Sequence, residues 1–227
     1  GLADGGTRAV RAHEDVAAQF LDRPLLASGH GAEPDAGGVR VDVEHLEHLD
    51  RDPEDADVLA LLGAAAEDGN AAIEASVAEH PEQAGMGTTL TALMFNGAAF
   101  GMIHVGDSRG YLLRDGALEH LTVDDTFVQS LVDEGKLAPE DVSTHPQKSL
   151  ILKAYTGRPV EATLFTLDAK PGDRILLCSD GLSDPVTAST IETALGQGSI
   201  EQAGSALVDL AIRSGGPDNV TVVIGEV

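Results

Sequence analysis

The sequence predicts an α+β fold in which two hairpin-built sheets pack face to face and helices cover them. Two observations lead there, and a third allows it. Stretches of period two come in pairs around Asn-Gly and Asp-Gly dipeptides, the signature of antiparallel hairpins. Stretches with apolar residues every three or four positions are grouped between them and do not alternate one for one with strands, so a parallel doubly wound sheet is excluded. With 227 residues, 42% of them hydrophobic, the chain can bury a core as one domain. Aromatic residues make up only 3%, so that core is aliphatic.

Taken in order, residues 36–57 are acidic and interrupted, and "VEHLEHLD" closes a helix before a loop at Asp52-Pro53. From Val58 to Glu79 the apolar spacing is that of an amphipathic helix, despite Gly63 and Gly69. "TTLTALMF" and "AAFGMIHVG" read as strands joined across Asn96-Gly97, and "RGYLLRDGALEHLT" as a second hairpin turning at Asp115-Gly116. Residues 124–154 are polar, partly helical and broken by prolines, an excursion from the sheet. "ATLFTLDAKPGDRILLCSDG" returns to strands, "ASTIETALGQG" and "SIEQAGSALVDLAIRSGG" are helical, and "NVTVVIGEV" is a closing strand.

The formal net charge is −24, which argues against nucleic acid and anionic membrane as partners, since both select basic patches. Most of this acidity is a solvated surface. The single cysteine, Cys178, lies in an apolar run and reads as a small buried residue. No apolar run approaches the roughly 20 residues of a membrane span and no leader pattern opens the chain, so a cytoplasmic location is expected.

Three aspartates stand in glycine-bearing turns at strand ends: Asp107 in "HVGDSRG", Asp180 in "LLCSDGLSD" and Asp218 in "GGPDNVTVV". Carboxylates so placed, beside glycines that let backbones approach, suit a hard divalent cation, Mg²⁺ or Mn²⁺ in preference to zinc. A serine-hydrolase reading of "GDSRG" fails, because no Asp-x-x-His pair follows and the last histidine is His145. His45 and His48 have no third ligand nearby and read as a solvated helix face.

Read together, "GMGTTLTAL", "HVGDSRGYLLRDG", "LTVDDTFVQSLVDEG", "HPQKSLILKAYTG", "GDRILLCSDGLSD" and "GGPDNVTVV" resemble the metal-dependent Ser/Thr protein phosphatases of the PP2C (PPM) family. The likeness is strongest to bacterial members paired with Ser/Thr protein kinases. It implies a four-layer α-β-β-α sandwich spanning 1–227 as one domain, with a flap at about 122–148. It also implies a binuclear Mn²⁺ or Mg²⁺ centre at one end of the sandwich, and phosphoproteins as substrates. By the same resemblance Asp180 and Asp218 ligate one metal. Asp107 serves a weaker third ion, sharing Asp180 and assisted by Ser149. A metal-activated water attacks the phosphoester directly, so no Ser or Cys nucleophile is required.

The front third departs from the family pattern. "RAVRAHEDV" keeps Glu14 and Asp15 as outer-sphere metal residues but has His13 where the family has Asn, and Arg11 sits one position too close. Arg11 is the first choice for the phosphate-gripping arginine and Arg8 the second. In "LLASGHG", Gly29 offers a carbonyl to a metal and His30 matches the proposed general acid. Ser28 stands where the family carries the aspartate that bridges both metals. A neutral, short hydroxyl bridges two dications poorly, so one ion is expected to be weakened. Asp4 in "GLADGG" is a rival for that role, but it would leave the sandwich without its opening strands. The alternative function is therefore a pseudophosphatase that binds phosphoproteins or a kinase without turnover. A stress-response phosphatase of anti-anti-sigma proteins is a third reading, disfavoured by the long flap.

Overall fold

A computed structural model of the chain describes residues 57–96 and 99–227, together with the backbone of strand 17–24. The opening strand β1 (Ala17–Pro24) runs antiparallel to β2 (Met86–Phe95), with Phe20 opposite Leu90 and Pro24 opposite Met86. Next to β2 lies β3 (Ala99–Val105), and beyond it β6 (Thr163–Asp168), so that among the described residues four antiparallel strands pair in the order β1-β2-β3-β6. The second sheet has the order β5-β4-β7-β8, from β4 (Arg109–Arg114), β5 (Ala117–His120), β7 (Arg174–Cys178) and β8 (Val222–Glu226). The second hairpin forms at the predicted dipeptide: Arg114 pairs with Ala117, and Asp115 and Gly116 take φ of 53° and 81°, the left-handed pair of a type I′ turn.

Three hydrophobic clusters fill the three spaces between four layers. Between the sheets lie Phe100, Met102, Leu112, Ile175 and Leu177. Outside the first sheet, helix α1 (Val58–Glu79) lays Val58, Leu62, Ala66 and Ile73 over Leu90, Ala92 and Ile103. This helix has the limits that its sequence period predicts, and Asp57 caps it, accepting from the amides of Leu59 and Ala60 at 3.2 and 3.1 Å. Outside the second sheet, α4 (Ala188–Leu195) and α5 (Ile200–Arg213) bury Ile191, Leu195 and Leu207 against Tyr111, Leu176 and Ile224. Alternate residues of each strand thus serve opposite spaces: Leu176 faces the helices while Ile175 and Leu177 face the other sheet.

Along the inner face of the first sheet the chemistry changes. Phe95 opposite Phe100 and Leu93 opposite Met102 give way to Thr91 opposite His104, and then to Thr89. All three of these polar residues are buried. The sandwich is therefore apolar at one end and hydrogen-bonded at the other. At the apolar end the two sheets are pinned by Arg114, whose Nε reaches Asp173 at 2.8 Å and whose terminal nitrogen reaches the Asp168 carbonyl at 2.7 Å. The excursion between β5 and β6 contains the short helix α2 (Phe127–Asp133) and a 3-10 turn at Pro139–Thr144. It leaves and returns through an antiparallel bridge between Thr126 and Ile151.

Candidate active site

The polar end of the sandwich collects the three turn aspartates. Strands β4 and β7 are antiparallel neighbours with Arg109 opposite Cys178, so Asp107 and Asp180 stand two residues outward on adjacent strands. Asp107 is buried in the β3–β4 turn, and Asp180 opens the one-turn helix α3 (Asp180–Ser183) directly after β7. Asp218 lies in the exposed loop before β8, the strand paired to the other side of β7. Ser179 fixes that loop: its hydroxyl donates to the Asn219 carbonyl at 3.2 Å and accepts from the Thr221 amide at 3.0 Å. Gly181 permits the close approach, since a Cβ there would fall 2.2 Å from the Asn219 carbonyl oxygen. Antiparallel pairing alone therefore brings three carboxylates to one end of one sheet.

The turn bearing Asp107 is held from two sides. From the first sheet, Thr89 Oγ1 meets Ser108 Oγ at 3.0 Å. Thr91 Oγ1 lies 2.8 Å from the Ser108 carbonyl and 2.9 Å from His104 Nδ1, and its one proton serves one of them at a time. From the strand that leaves β5, the Gly106 amide donates to Asp125 Oδ2 at 3.0 Å and the Asp125 amide donates back to the Gly106 carbonyl at 2.7 Å. Arg109 makes a two-pronged pair with Asp124 at 2.9 and 2.6 Å. Burial alone would lower the Arg109 pKa, but the Asp124 carboxylate outweighs it and raises it above the ordinary arginine value. His104 is pushed down by burial, against which Asp125 and the Val123 carbonyl act. That carbonyl, 3.0 Å from Nε2, makes Nε2 the ring's donor. His120, stacked on Tyr111 with ring centroids 4.8 Å apart, is pushed down to about 4 by desolvation, with repulsion from Arg109 adding to it.

The donor set is chemically consistent with a hard cation. Asp107, Asp180 and Asp218 offer carboxylate oxygens, whereas burial pushes the thiol of Cys178, the chain's only soft sulfur nucleophile, up to about 12. Among the described residues no three His, Cys, Asp or Glu side chains are grouped closely enough to hold a metal by themselves. Ser149 is exposed at the foot of the excursion, beside Lys148, whose Nζ reaches Asp184 at 2.9 Å. Gly29, His30, Arg11, Glu14 and Asp15, with Ser28 and Asp4, lie outside the described residues. The ties made by Thr89, His104, Asp124, Asp125 and Ser179 were not singled out in the sequence. The alternate threonines of "TTLTAL" and the paired acids of "VDDT" are the signals that carry them.

The architecture agrees with known proteins. The family model described as Protein phosphatase 2C matches residues 23–204. The chain belongs to that family. It is 53% identical over 221 residues to the serine/threonine protein phosphatase PstP of Mycobacterium tuberculosis, covering 96% of this chain and 43% of that protein. The chain thus spans less than half the length of this curated relative. A crystal structure of the Mycobacterium tuberculosis phosphatase PstP/Ppp superposes with a TM-score of 0.77 at 45% identity, covering 92% of this chain and 97% of the other. The catalytic domain of PstP in complex with two manganese ions gives a TM-score of 0.72 at 43% identity, with 92% and 96% covered. Among the described residues no helix is long and apolar enough to cross a membrane.

Proposed function

We propose that this chain hydrolyses phosphoserine and phosphothreonine esters in proteins with the help of Mn²⁺ or Mg²⁺, acting as a single domain whose flap, about 122–148, shapes access. The observation that carries the reading is the placement of Asp107, Asp180 and Asp218 at the same end of the second sheet by antiparallel register, in a chain belonging to the protein phosphatase 2C family. Asp180 and Asp218 hold one ion, and Asp107 with Asp180 and Ser149 a weaker one. Gly29 contributes its carbonyl, and Glu14 and Asp15 act on the outer sphere. Bound divalent ions lower the pKa of the attacking water and offset the charge on the phosphoryl oxygens. Arg11 grips the phosphate with its planar fork, and His30 returns a proton to the departing hydroxyl. Phosphoproteins of a Ser/Thr kinase pathway, and the kinase itself, are the proposed partners, in the cytoplasm.

The test is hydrolysis of p-nitrophenyl phosphate and of a phosphothreonine peptide across a Mn²⁺ titration. Turnover that needs Mn²⁺, stops with a chelator and is lost in Asp180→Asn supports the reading. A chain that turns over neither substrate at any Mn²⁺ concentration, and gains activity in Ser28→Asp, would make it a docking module instead.

A further inference from the structure

Three consecutive residues, Val123, Asp124 and Asp125, bracket the turn that carries Asp107. The Val123 carbonyl accepts from His104, three residues before Asp107. Asp125 exchanges two bonds with Gly106, the residue immediately before it. Asp124 takes the guanidinium of Arg109, two residues after it. Gly106 has φ of +110°, and a Cβ there would sit 2.3 Å from the Thr89 side chain, so the turn has no room to relax inward. Asp125 uses both carboxylate oxygens, Oδ2 on the Gly106 amide and Oδ1 on Lys153 Nζ at 3.0 Å. Arg109 and Lys153 thus pair with the two acids that hold the turn carrying Asp107.

We infer that Asp125, seconded by Asp124, is a positioning residue for Asp107: it sets the backbone from which the Asp107 carboxylate faces a divalent cation. The inference rests on the reading of Asp107 as a metal ligand. Groups that orient a metal's ligands from outside the coordination sphere typically change metal affinity by about 10- to 100-fold when they are removed. Both carboxylate oxygens of Asp125 are engaged within the protein, by the Gly106 amide and by Lys153, so its loss should appear in the Mn²⁺ requirement before it appears in the chemical step.

Calorimetric titration of the chain with Mn²⁺ tests this, with circular dichroism to confirm folding. Asp125→Ala should weaken the weakest Mn²⁺ site about tenfold. Asp125→Asn keeps an oxygen for the Gly106 amide and should restore the original affinity, which a general loss of stability would not do. Asp107→Asn is the control. If it leaves the isotherm unchanged, the ligand reading of Asp107 fails. If it removes the weak site while folded Asp125→Ala binds Mn²⁺ as the parent chain does, the positioning role alone is overturned. Should Asp125→Ala not fold, Asp124→Asn, which blunts the grip on Arg109, must weaken the same site; unchanged affinity there overturns the inference too.

Discussion

Replacing Gly181 by alanine offers a clean probe of how tightly the Asp180 turn and the Asp218 loop are set against each other. The added methyl would lie 2.2 Å from the Asn219 carbonyl oxygen and 2.9 Å from its carbon, both backbone atoms that no rotamer change can move. One backbone must retreat by roughly 1 Å to restore ordinary van der Waals contact. The residues that retreat are neighbours of Asp180 and Asp218, so the two carboxylates move apart. Displacement by about 1 Å at a reacting centre costs on the order of 100-fold in rate. Overpacking also lowers stability by about 1–3 kcal/mol. The assay is kcat/KM on p-nitrophenyl phosphate at saturating Mn²⁺, with Tm recorded in parallel. Gly63→Ala is the control: it sits in α1 with no atom within 4 Å of the new Cβ and should gain stability by about 0.5–1 kcal/mol. A Gly181→Ala chain with parental kcat/KM would refute the claim that backbone contact fixes the two aspartates.

Two further expectations concern pH. Burial and desolvation lower the pKa values of His104 and His120, so both rings are neutral in the fold and take up protons first in the unfolded chain. Their contribution to stability is therefore complete above the ordinary imidazole value of about 6.5 and declines as the pH falls below it. NMR titration should give both rings midpoints below that value, and a midpoint at or above it for either ring contradicts the packing described. Asp173 behaves in the opposite sense to a carboxyl left in water: the hydrogen bonds from Arg114 hold its pKa below the usual carboxylate range. Its contribution is present above about pH 4 and is lost as the pH falls through the depressed value. Asp173→Asn should lower Tm at pH 7 and narrow the Tm gap between pH 7 and pH 3; an unaltered gap would count against the clamp.

What the sequence reveals is set by the range of the interaction. Helix α1 is announced by its own period and its Asp57 cap, and the Asp115-Gly116 turn by the φ values only such a pair adopts readily. Asn96 is subtler. It holds the start of β3, its side chain accepting from the Ala99 amide at 2.9 Å and its own amide donating to the Ala99 carbonyl at 3.2 Å, a tie that the dipeptide Asn96-Gly97 does not announce. Alternation along "TTLTALMF" shows that one face is buried but not that its Thr89–Thr91 end is a hydrogen-bonded plug, because that depends on pairing with His104 and on Ser108 from another strand. Likewise "VDDT" looks like an ordinary polar approach to a helix until the register brings Asp124 to Arg109 and Asp125 to Gly106, 15 and 19 residues away. The three metal-suited aspartates were legible because each keeps its own glycine-bearing turn, while the ties that aim them are scattered over the chain.

The bridge between Thr126 and Ile151 has a consequence for what this architecture tolerates. Both chain ends of the 127–150 excursion meet there, with the Phe127 amide on the Leu150 carbonyl and the Leu152 amide on the Asp125 carbonyl. A head mounted on so short a neck can be lengthened or exchanged with little strain on what lies beneath, since doubling a closed loop costs only about 0.6 kcal/mol. Grafting another member's head between residues 126 and 151 should leave the ties of Asp124 to Arg109 and of Asp125 to Gly106 in place.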